Sequence, residues 1–424
     1  MGDLLRRYWT PACLAEEVAE PGGEPLRVRL LGEDLLIFRD TDGQLGLIDE
    51  HCPHRGVSLF YGRNETCGLR CLYHGWQFDV RGNCVDMPTE PPGRSFADRI
   101  KLTAYPVHES GGLVWAYLGP PDVMTPFRDF GTESMRADEI YVTKQHTTSN
   151  WVQVIEGNLD SAHISHLHQF DAVDEIPDDG ADEPGYPPNA VSWKFWRHDR
   201  APRLEIEDTW YGFRYAAIRS TPKGHTHVRI SAFIPPYGTV VASIPFTADQ
   251  WICVPIDDQN SWKYTLRAQP IRNPRGHGGG SVFDPAPFTT PFMSPTGGIL
   301  PREYTAENNY QIDRAVQRTS TFSGIGDFLS QDLVATESMG AIQDRTTEHL
   351  GTTDVAISRM RQLLLAAARA LHEGAEPPAL ADHRFDRIWG AEKILAPGED
   401  WRVLGTEIDP VVMEAFELTH ETGA

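Results

Sequence analysis

His51-Cys52-Pro53-His54-Arg55-Gly56 is answered by Cys71-Leu72-Tyr73-His74-Gly75-Trp76, with 16 residues between His54 and Cys71. Each run sets a thiolate and an imidazole close together on a loop after a strand-like segment, beside a glycine. Four nitrogen and sulfur donors on two loops can close around one metal centre. Zinc and an iron–sulfur cluster both fit that inventory. The surroundings read as short strands. Residues 27–48, RVRLLGEDLLIFRDTDGQLGLI, alternate about a turn at Asp42-Gly43, which predicts a hairpin. Gly68, Gly75, Gly82 and the Gly111-Gly112 pair punctuate the next stretch. Residues 25–121 are therefore expected to form a small antiparallel β domain, with 1–24 packing on the larger domain of residues 122–424 and 119–130 as a linker.

The whole chain has 424 residues, 60 acidic against 38 basic, for a net charge of −22. So acidic a surface, without a Lys/Arg cluster, argues against nucleic acid or an anionic membrane as partner. Six cysteines are too few to staple this length, so reduced thiols are expected. The opening MGDLLRRYWTPACLAEEV lacks the apolar core of a secretory leader, and the richest apolar run, 363–371, is broken by Arg369. These features predict a cytoplasmic protein.

Beyond the linker the pattern mixes. Residues 150–170 carry helical spacing, 201–265 return to alternation, 274–303 form a Gly/Pro-rich stretch suited to a lid, and helices run to about Leu371. Strands followed by helices without regular alternation predict an α+β domain over 122–424. Within it, Asp160, His163, His166 and His168 fall inside nine positions. Helix geometry alone groups Asp160, His163 and His166, because i and i+3 share a face. An arginine on an apolar strand face could anchor a carboxylate by paired hydrogen bonds. Arg229 ranks first, with Ser231 and Phe233 on its face, and Arg214 second.

In a Rieske [2Fe–2S] centre two thiolates hold one iron and two imidazoles the other, and the paired loops match that division. They resemble the Rieske domain of aromatic-ring-hydroxylating oxygenases, written C-x-H-R-G and C-x-Y-H-G-W. The resemblance implies that Cys52, His54, Cys71 and His74 bind the cluster. Val57 and Tyr73 stand where membrane-bound Rieske proteins carry a disulfide, so the cluster is of the soluble kind. Cys67 and Cys84 are expected to be buried thiols. The segment 160–168 is similar to the family's D-x-x-H-x4-H, which makes His163 and His168 ligands of a mononuclear Fe(II) and His166 their rival. The stretch SQDLVATES resembles the family's acidic helix, implying Asp332 as the third ligand, five residues before Glu337; Asp327 and Asp344 are weaker competitors. By the same resemblance Asp160 links His163 to His74 of a neighbouring chain in a trimer or stacked hexamer.

The resemblance reaches across nearly the whole chain. ENNYQIDRAVQRTSTFSGIGDF and ESMGAIQDRTTEHLGTTD place it with the phthalate-dioxygenase-like branch. That implies a small antiparallel β domain ahead of a larger helix-grip-like catalytic domain, O₂ and an aromatic acid as substrates, and a cis-dihydrodiol as product. No Gly-x-Gly-x-x-Gly comes after a strand, so electrons must come from a separate NAD(P)H-dependent reductase, in this branch one with flavin and a plant-type [2Fe–2S] centre. A demethylating or hydroxylating monooxygenase is the alternative chemistry. A Rieske electron carrier or a zinc-binding interaction protein is the alternative class.

Overall fold

The computed structural model describes residues 2–127, 140–176, 180, 182–185, 189–241, 248–268, 297–377, 388 and 390–404. Of the expected lid at 274–303, residues 274–296 lie outside them. The chain divides into two compact units, one of Met1–Phe127 with Val254–Asp257 and Ala370–Ala381, the other of Arg128–Cys253, Asp258–Arg369 and Asp382–Ala424.

The first unit opens with a short helical turn, α1 (Gly2–Leu5), and strand β1 (Thr10–Leu14), buried throughout. Strands β2 (Leu26–Leu30), β3 (Glu33–Arg39) and β4 (Leu45–Asp49) form an antiparallel meander. The β3–β4 connection is the expected hairpin: Gly43 has φ 82°, and the Asp40 carboxylate accepts from the amides of Asp42 and Gln44. A second sheet comes next, β5 (Arg63–Glu65), β6 (Gly68–Arg70), β7 (Gln77–Phe78) and β8 (Cys84–Asp86). Then β9 (Ala104–Tyr105) pairs with β4, and β10 (Val107–Ser110) with β11 (Leu113–Ala116). Leu36, Phe38, Ile48, Leu69, Trp76 and Phe78 form the core, and Cys52 and Cys71 are packed into it. Each such large apolar side chain contributes about 1.5–3 kcal/mol on burial, so the two cysteine loops are anchored by the best-buried part of the unit.

Two details depart from expectation. The N-terminal segment joins this first unit, because β1 finds its partner in β11; five buried residues in a row need a strand beside them to satisfy their backbone. All six cysteines are free, but Cys67 is exposed rather than buried, on a tight turn with φ 72° next to Gly68.

The second unit contains β12 (Ile140–Thr147), helices α2 (Trp151–Leu159) and α3 (Asn189–His198), then β13 (Arg203–Thr209), β14 (Gly212–Ser220), β15 (Thr226–Ile234), β16 (Gly238–Val240), β17 (Ala248–Pro255), β18 (Ser261–Ala268) and β19 (Gly298–Ile299). Helices α4 (Arg314–Thr319), α5 (Phe328–Glu337) and α6 (Val355–His372) and strand β20 (Ala391–Leu395) complete it. Among the described residues these strands make one nine-stranded sheet, ordered β13-β14-β15-β16-β17-β18-β12-β19, with β20 also pairing β15. The architecture is the expected α+β one. Helix α2 is pinned to the end of α5 by Gln153, whose amide donates to the carbonyls of Thr336 and Gly340. No described helix is long and apolar enough to cross a membrane.

Candidate metal centres

The two loops of the first unit have one conformation. In each, the cysteine amide donates to the carbonyl five residues on (Cys52 to Val57, 2.9 Å; Cys71 to Trp76, 2.8 Å). In each, the glycine amide donates back to the cysteine carbonyl (Gly56 to Cys52, 2.8 Å; Gly75 to Cys71, 3.0 Å). That closure needs a left-handed residue, and Gly56 and Gly75 have φ 76° and 73°. A Cβ on Gly75 would also lie 2.7 Å from the Pro88 ring. The thiols are buried, and burial together with the neighbouring Cys71 pushes Cys52 up to about 11. The imidazoles lie toward the surface. Their ring centroids are 4.4 Å apart, and His54 stacks on Trp76 at 4.5 Å. Two adjoining thiols on the inside and two adjoining imidazoles on the outside fit a [2Fe–2S] cluster with unlike irons.

In the second unit, α2 stops at Leu159 because the Asp160 carboxylate accepts from the amides of Ala162 and His163 (2.7 and 3.2 Å), replacing the helical bonds. Residues 163–165 form a short 3₁₀ turn, so the helical spacing noted over 150–170 becomes a continuous α-helix only as far as Leu159. This break brings His163 and His168 together although they are five apart. Their Nε2 atoms are 3.2 Å from each other and 3.7 and 3.2 Å from Asp332 Oδ1. Donor atoms sharing one ion at about 2.1 Å stand about 3 Å apart at adjoining corners of an octahedron. The three residues thus form a face that fits one iron. His166 points away and is exposed, against Phe322. Asp327 and Asp344 cap short helices, accepting from Ser330 and Thr346 amides. Glu337 is held by Arg302, Tyr310 and the Thr148 amide.

Strand β14 holds the turn in place. The Tyr215 hydroxyl donates to the Leu159 carbonyl (2.7 Å) and Arg219 to the Ser161 carbonyl (2.5 Å). The Asp160 carboxylate lies 3.8 Å from His163 Nδ1. The two imidazoles respond differently to being buried. Burial would lower His163, but the adjacent Asp160 carboxylate, with the Asp332 charge adding, outweighs it and raises the group. Burial prevails at His168 and lowers it. Asp332 would be raised by burial, yet the neighbouring His168, Lys263 and His163 bring it down to about 2.

A pocket opens beside the triad, walled by Trp193, Trp196, Ile164 and Phe328, with Arg229 and Ser231 as polar groups. The register settles the two arginines. Arg229 pairs with Ala217 and Arg214 with Ala232, so alternation puts them on opposite faces of the sheet. Arg229 is 5 % exposed, lies 5.0 Å over the Trp196 ring and has Glu392 behind it at 3.8 Å. Arg214 does not reach the pocket. It binds Glu207 and the carbonyls of Leu404 and Arg402, fastening the 401–404 segment to the sheet. Sequence reasoning missed Trp193, Trp196, Arg219, Gln331 and Glu392. Only the aromatic pair at i and i+3 on α3 left a local trace.

A family profile described as Rieske [2Fe-2S] domain matches residues 8–106, and one described as LigXa C-terminal domain like matches 116–275 and 299–422. The phthalate 4,5-dioxygenase oxygenase subunit of Pseudomonas putida is 38% identical over 95% of this chain and 90% of its own. The chain belongs to the Rieske non-haem iron oxygenases. Within that family the 3-chlorobenzoate-3,4-dioxygenase oxygenase subunit of Comamonas testosteroni is 35% identical, covering 91% of this chain and 89% of its own. The fold matches the solved dicamba monooxygenase bound to dicamba (TM-score 0.56, 18% identity, 87% of this chain and 99% of that one). This Rieske oxygenase chain is therefore an oxidoreductase subunit of the phthalate-dioxygenase-like branch, and the two donor sets suit the [2Fe–2S] cluster and non-haem iron of such enzymes.

Proposed function

We propose that this oxygenase component cis-dihydroxylates an aromatic carboxylic acid, with Cys52, His54, Cys71 and His74 holding the cluster and His163, His168 and Asp332 the iron. The single observation that carries the substrate class is Arg229 in an aromatic-walled pocket onto which His163, His168 and Asp332 also open. When bound, the cluster supplies electrons singly and the iron supplies the position at which O₂ is activated. The arene, O₂, two electrons and two protons together balance as the dihydrodiol.

The chain's own residues do the rest. Arg229 receives the carboxylate and fixes which ring edge faces the triad, a bidentate contact that a buried guanidinium makes strongly. Trp193, Trp196 and Phe328 grip the ring and keep water out. Asp160 orients His163, and by family analogy its free edge meets the His74 ring of a neighbouring chain, giving electrons a short path in a trimer or stacked hexamer. Rieske oxygenase components draw on ferredoxin or reductase partners; here a flavin and plant-type [2Fe–2S] reductase is the proposed donor. The test is substrate-dependent O₂ uptake across a panel of aromatic acids, with ¹⁸O₂ labelling of product. Two labelled oxygens support dioxygenation. One labelled oxygen supports the second reading, a monooxygenase, favoured by 31% identity to the 5,5'-dehydrodivanillate O-demethylase oxygenase subunit of Sphingobium sp. over 90% of this chain.

A further inference from the structure

His168 is backed by a group that neither the spacing of the motif nor the ligand set assigns. Gln331 is fully buried and sits one residue before Asp332 on α5. Its Nε2 donates to the Ile325 carbonyl at 2.8 Å, and its Oε1 lies 2.7 Å from His168 Nδ1. The first contact fixes the second. Turning the amide over would set its oxygen against the Ile325 oxygen, two acceptors face to face in a buried place. An amide oxygen only accepts. His168 Nδ1 must then carry the hydrogen, and the neutral ring is left with a bare lone pair on Nε2, the atom that faces His163 and Asp332.

We propose that Gln331 is a positioning residue that locks His168 in the Nδ1–H tautomer and so presets Nε2 for iron. This rests on the reading of His163, His168 and Asp332 as the iron site. Helix geometry makes the arrangement economical. Phe328, Gln331 and Asp332 stand at i, i+3 and i+4 and share one face. One helix therefore offers the same imidazole a stacking ring (centroids 3.9 Å, 18°), an orienting acceptor and a carboxylate neighbour. The start of that helix is itself pinned, because Asp327 accepts from the Ser330 amide at 2.6 Å. The two imidazoles of the centre are consequently backed by unlike groups, a carboxylate behind His163 and a neutral amide behind His168. The site gains orientation at His168 without a further buried charge.

The experiment uses the full-length protein with its cluster intact. The mononuclear iron is removed by chelation and returned as Fe(II) anaerobically, against a competing chelator of known affinity. Gln331→Met keeps length and helix but has no oxygen, whereas Gln331→Glu keeps an accepting oxygen in either protonation state. The Met variant is expected to bind Fe(II) about 10- to 100-fold more weakly, and the Glu variant within about threefold of the parent. Wild-type affinity in a folded Met variant overturns the proposal, and so does a Glu variant as weak as the Met one. Should Gln331→Met not fold, the Glu variant carries the test: retained affinity supports the lock and a tenfold loss refutes it. A parent protein that takes up no third iron refutes the iron site itself, an outcome read before any variant is compared.

Discussion

Replacing Arg229 by methionine removes the guanidinium from the pocket while keeping an unbranched side chain against Trp196. Arg229 is 5 % exposed, so solvent and salt screen it little. Truncating one partner of a buried, hydrogen-bonded charge pair costs about 2–5 kcal/mol. The lower part of that range applies here, because the aromatic walls go on binding the ring: about 2–4 kcal/mol, or roughly 30- to 1000-fold in kcat/KM. The carboxylate is remote from the reacting carbons and is held alike in ground and transition states, so the loss falls mainly on KM. The fold survives, because Glu392 keeps its 2.7 Å contact with His227 Nε2. The assay compares an aromatic acid with its neutral amide or methyl ester in parent and variant, following O₂ uptake with a surrogate reductase. The preference for the acid should collapse in the variant while turnover of the neutral compound changes little. Equal losses for acid and neutral compound, or an unchanged KM for the acid, would refute Arg229 as the anchor.

Exchanging His168 for alanine should remove the mononuclear iron and leave the cluster absorbance, while His166→Ala keeps three irons per chain; iron analysis separates them, and the reverse result would restore the helical grouping. Asp160→Asn is expected to keep both metals and lose coupled turnover, read as product formed per O₂ consumed. Asparagine is the informative choice, because the carboxylate also accepts from two turn amides and alanine would let His163 drift. Glu348 is held below its ordinary 4.5 first by its hydrogen bonds to Arg361, with the Arg361 and Arg345 charges adding. A carboxyl lowered in the folded state stabilises fully above that ordinary value and loses its contribution as pH falls through the folded one. Glu348→Gln should therefore melt below the parent at pH 7, and the gap should narrow under acid; a gap that stays constant with pH would contradict the pairing.

The cluster loops were readable before any fold was known, because their chemistry is local: cysteine, histidine and the glycine that closes each loop lie within five residues. Asp42-Gly43 and the alternation around it likewise carry their own hairpin. Asp332 was reached by resemblance, and nothing in the residues around it singled it out. The choice between His166 and His168 was not readable from spacing, since a helix would have favoured the former. It turned on Asp160 capping the turn and ending α2, a side-chain-to-backbone competition that propensity does not resolve. The sequence ranked Arg229 ahead of Arg214, but both lay on apolar strand faces and nothing local told which face meets the pocket. Pairing of β14 with β15 separated them, because register sends alternate residues to opposite faces and each strand alone leaves open which face meets the pocket. Gln331, Arg219 and Glu392 had no linear signature at all. Their contacts with His168, Ser161 and His227 bring together residues 58 to 165 positions apart, so these roles exist only once the sheet and α5 have assembled around the histidines.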